Sequence, residues 1–93
     1  MLITIYIVIL ILNVQILQVK WKPTSDALFS SVDYEGNLCL WDLRSTVPLS
    51  IVEAHSGKGL CLDWVTTTEG SSVATGGSDC AVHLSHVSGV YVA

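Results

Sequence analysis

One stretch ending in tryptophan occurs twice in this 93-residue chain, and that recurrence limits the fold more than composition does. Leu17-Gln18-Val19-Lys20-Trp21 aligns with Leu60-Cys61-Leu62-Asp63-Trp64 at an offset of 43 residues. Further along, Phe29-Ser30-Ser31 lies over Val73-Ala74-Thr75, Glu35 over Asp79, Leu38 over Val82 and Leu40 over Leu84, all at an offset of 44. One extra residue therefore sits in the loop after Trp64. A period this long means that each unit is one supersecondary element, which buries its apolar face against a neighbouring copy.

Within each unit, apolar and variable residues alternate, so side chains of one kind gather on one face of a strand. The alternation predicts strands at 17–21, 27–32, 38–41 and 49–52 in the first unit. In the second it predicts strands at 60–64, 72–75 and 81–84, with a short remnant at Val90-Tyr91-Val92. Glu35-Gly36-Asn37 supplies reversal chemistry, and Pro23-Thr24-Ser25-Asp26 is turn material in which Pro23 needs no ladder donor. Hydrophobic residues make up 51% of the chain and charged residues only 13%, which suits short sheet strands. The expected fold is all-β: an incomplete β-propeller piece of about two four-stranded blades, with a hydrophobic N-terminal extension.

That extension reads as residues 1–16, followed by one repeat over 17–55 and a degenerate terminal repeat over 56–93. Residues 1–12 are almost continuously apolar. They fall short of the ~20 that a spanning helix requires, and continuing to Leu17 admits Asn13 and Gln15. No Lys or Arg precedes the apolar run, and no small-residue cleavage site follows it. Its many β-branched residues fit a hydrophobic strand, or a non-native start, better than a membrane anchor or signal. Membrane association through residues 1–17 stays open on these grounds.

A net charge of −4 leaves no basic stripe for phosphates, so direct binding to nucleic acid is not expected of this piece. Cys39, Cys61 and Cys80 are odd in number and lack metal-ligand spacing, which reads as free thiols. His83 and His86 stand three apart, but positions i and i+3 of a strand face opposite ways, so no metal site is expected. The pieces Gly70-Ser71-Ser72 and Gly76-Gly77-Ser78 are turns, with no lysine or following helix to hold phosphate. No catalytic residue, cofactor or metal is predicted.

The four-strand period, Trp41-Asp42 at the end of a third strand and Ala54-His55 before the second unit together resemble the WD40 repeat family. The resemblance covers about residues 17–87. It implies that His55, Thr75 and Asp79, which superficially suggest a catalytic triad, form a structural hydrogen-bond network. A buried imidazole or indole costs stability unless paired, and nothing in the sequence supplies an oxyanion site. By the same resemblance Trp21, Ser31, Trp41, Asp42 and Trp64 are structural. The pattern is incomplete in both units: Leu12 stands where the first histidine belongs, Glu35 replaces an aspartate, and Ser85-His86 replaces the second Trp-Asp.

The order of longer segments narrows the resemblance. "VKWKPTSDALFSSVDYEGNLCLWDLR", "VEAHSGKGLCLDW" and "VATGGSDCAVHL" are similar to the last two repeats of the WD-repeat ribosome-biogenesis family that partners block-of-proliferation and pescadillo. This implies a non-enzymatic protein-interaction scaffold in large-subunit assembly and rRNA maturation, located in the nucleus and nucleolus. The implied partners are block-of-proliferation-type and pescadillo-type assembly factors. An alternative rests on Trp41-Asp42-Leu43-Arg44, which resembles the docking element of cullin 4 ligase substrate receptors and makes Arg44 a candidate partner contact.

Overall fold

In the computed structural model, residues 15–87 are described, apart from positions 24, 26, 46 and 69. The expectations for residues 1–14, including Leu12, for Thr24 and Asp26, and for Val90-Tyr91-Val92 fall outside the described residues. Seven strands appear in chain order: β1 (Ile16–Trp21), β2 (Leu28–Asp33), β3 (Asn37–Asp42), β4 (Ser50–Glu53), β5 (Gly59–Thr67), β6 (Gly70–Gly77) and β7 (Val82–Val87). They form two antiparallel meanders, β1-β2-β3-β4 and β5-β6-β7. No helix occurs among the described residues.

Strand pairing follows from the alternation. In the first sheet Phe29 pairs with Trp41, Ser31 with Cys39 and Val32 with Leu38. One face therefore carries Ser30, Val32, Leu38 and Leu40, and the other carries Phe29, Ser31, Cys39 and Trp41. The first of these faces packs on the second sheet, forming a core of Val32, Leu38, Leu40, Leu62, Trp64 and Val73. Each such side chain removed from water contributes about 1.5–3 kcal/mol before the entropy of ordering it is subtracted. On the opposite face Phe29 lies parallel to Trp41 at 6.1 Å and edge-on to Trp21 at 5.3 Å. All six residues of β2 are buried, the pattern of a strand covered on both faces.

The second sheet is more one-sided. Leu62, Trp64, Val73 and Thr75 are buried, whereas Val82 and Leu84 are 83% and 64% exposed on the other face. Its strands run farther than the alternation indicates: β5 and β6 continue to Thr67 and Gly70, which pair directly. Gly70, the first residue of β6, adopts φ +131°, a backbone conformation that favours glycine, and the Thr67 hydroxyl donates to its carbonyl. The extra residue after Trp64 is thus absorbed in a longer hairpin. At the other end β7 begins at Val82 and reaches Val87, three residues beyond the alternation's estimate, because Ser71 and Ser72 pair with Val87 and His86.

Candidate functional site

The turn between β2 and β3 is built by Asp33, whose Oδ1 accepts the backbone N–H groups of Glu35 and Asn37 at 2.9 and 3.0 Å. Such a carboxylate replaces ladder partners that the reversing chain has lost. Gly36 sits here at φ +88°, and a Cβ on it would come within 2.3 Å of the His55 and Gly57 carbonyl oxygens. Its own carbonyl accepts the N–H groups of Ala54 and His55, both at 3.1 Å. The turn of one sheet thereby fixes the segment leading into the next.

His55 is the hub of that segment. Nε2 lies 2.9 Å from Thr75 Oγ1 and Nδ1 lies 3.0 Å from Asp79 Oδ1. Asp79 Oδ2 accepts the Ser56 N–H, and Oδ1 also accepts from Ala81. Burial works against ionisation of Asp79, but the Ser56, His55 and Ala81 hydrogen bonds and the nearby imidazole outweigh it and lower its pKa. Gly77 makes room for the ring, since a Cβ there would meet His55 Nδ1 at 2.4 Å. Thr75 Oγ1 also donates to the His83 carbonyl. Each side-chain nitrogen and oxygen of this trio therefore has a hydrogen-bond partner within the second sheet and the segment that leads into it.

Trp41 and Asp42 serve the first sheet. The Trp41 indole donates to Ser31 Oγ at 3.0 Å, with both groups buried. Asp42 accepts the Arg44 backbone N–H and its guanidinium Nε, each at 2.8 Å, and its second oxygen pairs with Arg44 Nη2. Those bonds, with the guanidinium charge, pull the Asp42 pKa down to about 2. The Arg44 side chain is 70% exposed while holding this fork. Beside Trp41, burial and the Asp33 charge push the Cys39 thiol up to about 11, although the Ser31 hydrogen bond favours the thiolate.

Two links between the sheets have no precursor in the motif reading. Gln18 Oε1 accepts the Leu62 N–H at 2.7 Å, and Trp64 Nε1 donates to the Lys20 carbonyl at 3.1 Å. Asp33 was also missed, though an aspartate two residues before a turn glycine's neighbour was a usable signal. Nothing marked Gln18, because its partner is fixed only when the sheets meet. His83 is half-buried with Nδ1 on Ser85, while the exposed His86 meets Ser72. Among the described residues no group of three or more metal-binding side chains occurs.

Paired meanders with this Trp-Ser and His-Thr-Asp bracing are blades of the WD40 type of β-propeller. The comparisons then point to one branch of such proteins. The chain is similar to the ribosome biogenesis protein WDR12 homolog of Oryza sativa subsp. japonica, 45% identical over 60 residues, which are 64% of this chain and 13% of that protein. The homolog of Arabidopsis thaliana is 39% identical over 66 residues, 71% of this chain and 14% of its own length. That of Chlamydomonas reinhardtii is 30% identical over 69 residues, again 71% of this chain and 16% of its own. The chain thus spans about one-seventh of the length of these relatives. No protein-family model matches it.

Proposed function

We propose that this chain is a non-enzymatic interaction scaffold acting in large ribosomal subunit biogenesis and rRNA maturation. The observation that carries the reading is the similarity to ribosome biogenesis proteins named WDR12 homologs, over 64–71% of the chain in the rice and Arabidopsis cases, on a pair of WD40-type blades. In this reading residues 17–55 and 56–93 are one repeat each, with 1–16 an extension. Trp21, Ser31, Trp41, Asp42, His55, Trp64, Thr75 and Asp79 are structural, and blades present exposed loops and faces to other proteins. The partners are pre-60S assembly factors of the block-of-proliferation and pescadillo types, and the site of action is the nucleolus.

A tagged chain expressed in cells tests this by gradient sedimentation of nuclear extract. Comigration with precursors of the large subunit is the expected result; recovery only in fractions without such precursors overturns it. The cullin 4 receptor reading through Trp41-Asp42-Leu43-Arg44 lacks comparable support. The relatives matched are ribosome biogenesis proteins, and the Arg44 guanidinium is already engaged by Asp42.

A further inference from the structure

The registers of the two sheets coincide: Trp41 pairs with Phe29 on the first, and Ser85 pairs with Val73 on the second. Ser31 and Thr75 hold equivalent places beside them. Where the first sheet inserts an indole hydrogen bonded to a hydroxyl, the second has only a serine. The consequence is a cavity of about 210 Å³ between the sheets, walled by Leu38, Leu40, Val73, Ser85 and Val87. A buried apolar cavity of ~150 Å³ already accommodates a benzene ring.

A second observation points to a ligand. Ser30 also lines this cavity, on the face it shares with Leu38 and Leu40, and is fully buried. Its Oγ has no hydrogen-bond partner among the described residues. A buried hydroxyl of this kind carries a desolvation cost that an incoming donor would offset. Ser50 and Val52 of β4 and His86 of β7 complete the lining. Both strands are the outermost of their sheets, so a polypeptide passing along that rim can reach the cavity.

We propose that this cavity receives the indole of a tryptophan presented by a partner polypeptide, with the ring between Leu40 and Val73 and its N–H donated to Ser30 Oγ. The assignment goes beyond the ribosome-assembly reading and stands without it. An aromatic ring carrying one donor matches the apolar side chains of Leu38, Leu40, Val52 and Val73 and the one buried hydroxyl among the described residues that lacks a partner, that of Ser30.

The test uses the full chain and a blocked Gly-Trp-Gly tripeptide carrying fluorotryptophan, observed by fluorine NMR. The chain is expected to shift and broaden the signal, and an N-methylated indole version should bind about fivefold more weakly, as loss of one hydrogen bond implies. Ser85→Trp should abolish binding by filling the cavity from within. Ser30→Ala, which changes little volume, should bind the two tripeptides equally. No signal change with the unmodified chain overturns the proposal. So does binding that neither variant alters, or binding of free fluoroindole without binding of the tripeptide.

Discussion

Trp64 Nε1 donates to the Lys20 carbonyl across the interface between the two sheets, at 3.1 Å and a sequence separation of 44 residues. The indole is also part of the shared core, so one side chain supplies both apolar area and a directional link. Trp64→Phe keeps most of the area and leaves the carbonyl without this donor; it should cost about 1–2 kcal/mol. Trp64→Ala should cost about 3–5 kcal/mol. Chemical denaturation of the three proteins checks the order.

Gln18 makes the companion link. Replacing it with leucine preserves bulk but leaves the Leu62 N–H without its acceptor, at a cost of about 1–3 kcal/mol. Hydrogen exchange at Leu62 should accelerate more than exchange at Val32, which lies within the first sheet's ladder.

Acid should loosen the structure in a definite window. Asp42 has its pKa lowered from 3.8 to about 2, with the Arg44 hydrogen bonds the leading cause. A carboxylate whose folded pKa is depressed stabilises the fold above the unfolded value and loses that contribution as pH falls through the folded one. Asp79 is shifted in the same direction. Stability should therefore drop between about pH 4 and pH 2. Asp42→Asn should reduce that slope in circular-dichroism melts, and an unchanged slope would exclude Asp42 as its source.

Cys80 occupies the second hairpin at φ 65°, at the place that Gly36 holds in the first. Cβ crowding makes this left-handed conformation unfavourable for cysteine by ~1 kcal/mol. Cys80→Gly should raise stability by about 0.5–1 kcal/mol, the relief being partly offset by the extra freedom of glycine when unfolded. Gly36→Ala should do the reverse and more, because its Cβ would also strike two carbonyl oxygens.

The thiols should separate kinetically. Cys39 is buried with its pKa raised to about 11, whereas Cys61 and Cys80 are exposed. Alkylation under native conditions should modify Cys61 and Cys80 first, leaving Cys39 until the chain unfolds. Mass spectrometry of timed digests reads this directly.

Residue alternation located the seven strands and the equivalence of the two units, and turn chemistry located the reversal at Gly36. These rest on alternation and backbone freedom, which are local properties. The same pattern singled out His55, Thr75 and Asp79 through family resemblance, although they lie up to 24 residues apart. Gly70-Ser71-Ser72 and Gly76-Gly77, expected as turns, instead lie within β6 because their backbone pairs with β5 and β7. Only the tertiary structure decided that Gln18 and the Lys20 carbonyl join the sheets, that Gly36 clamps the approach to His55, and that the serine at 85 lies beside a cavity lined by Ser30. Those relationships depend on how two twisted sheets settle against each other, and side-chain alternation within a strand carries no information about that.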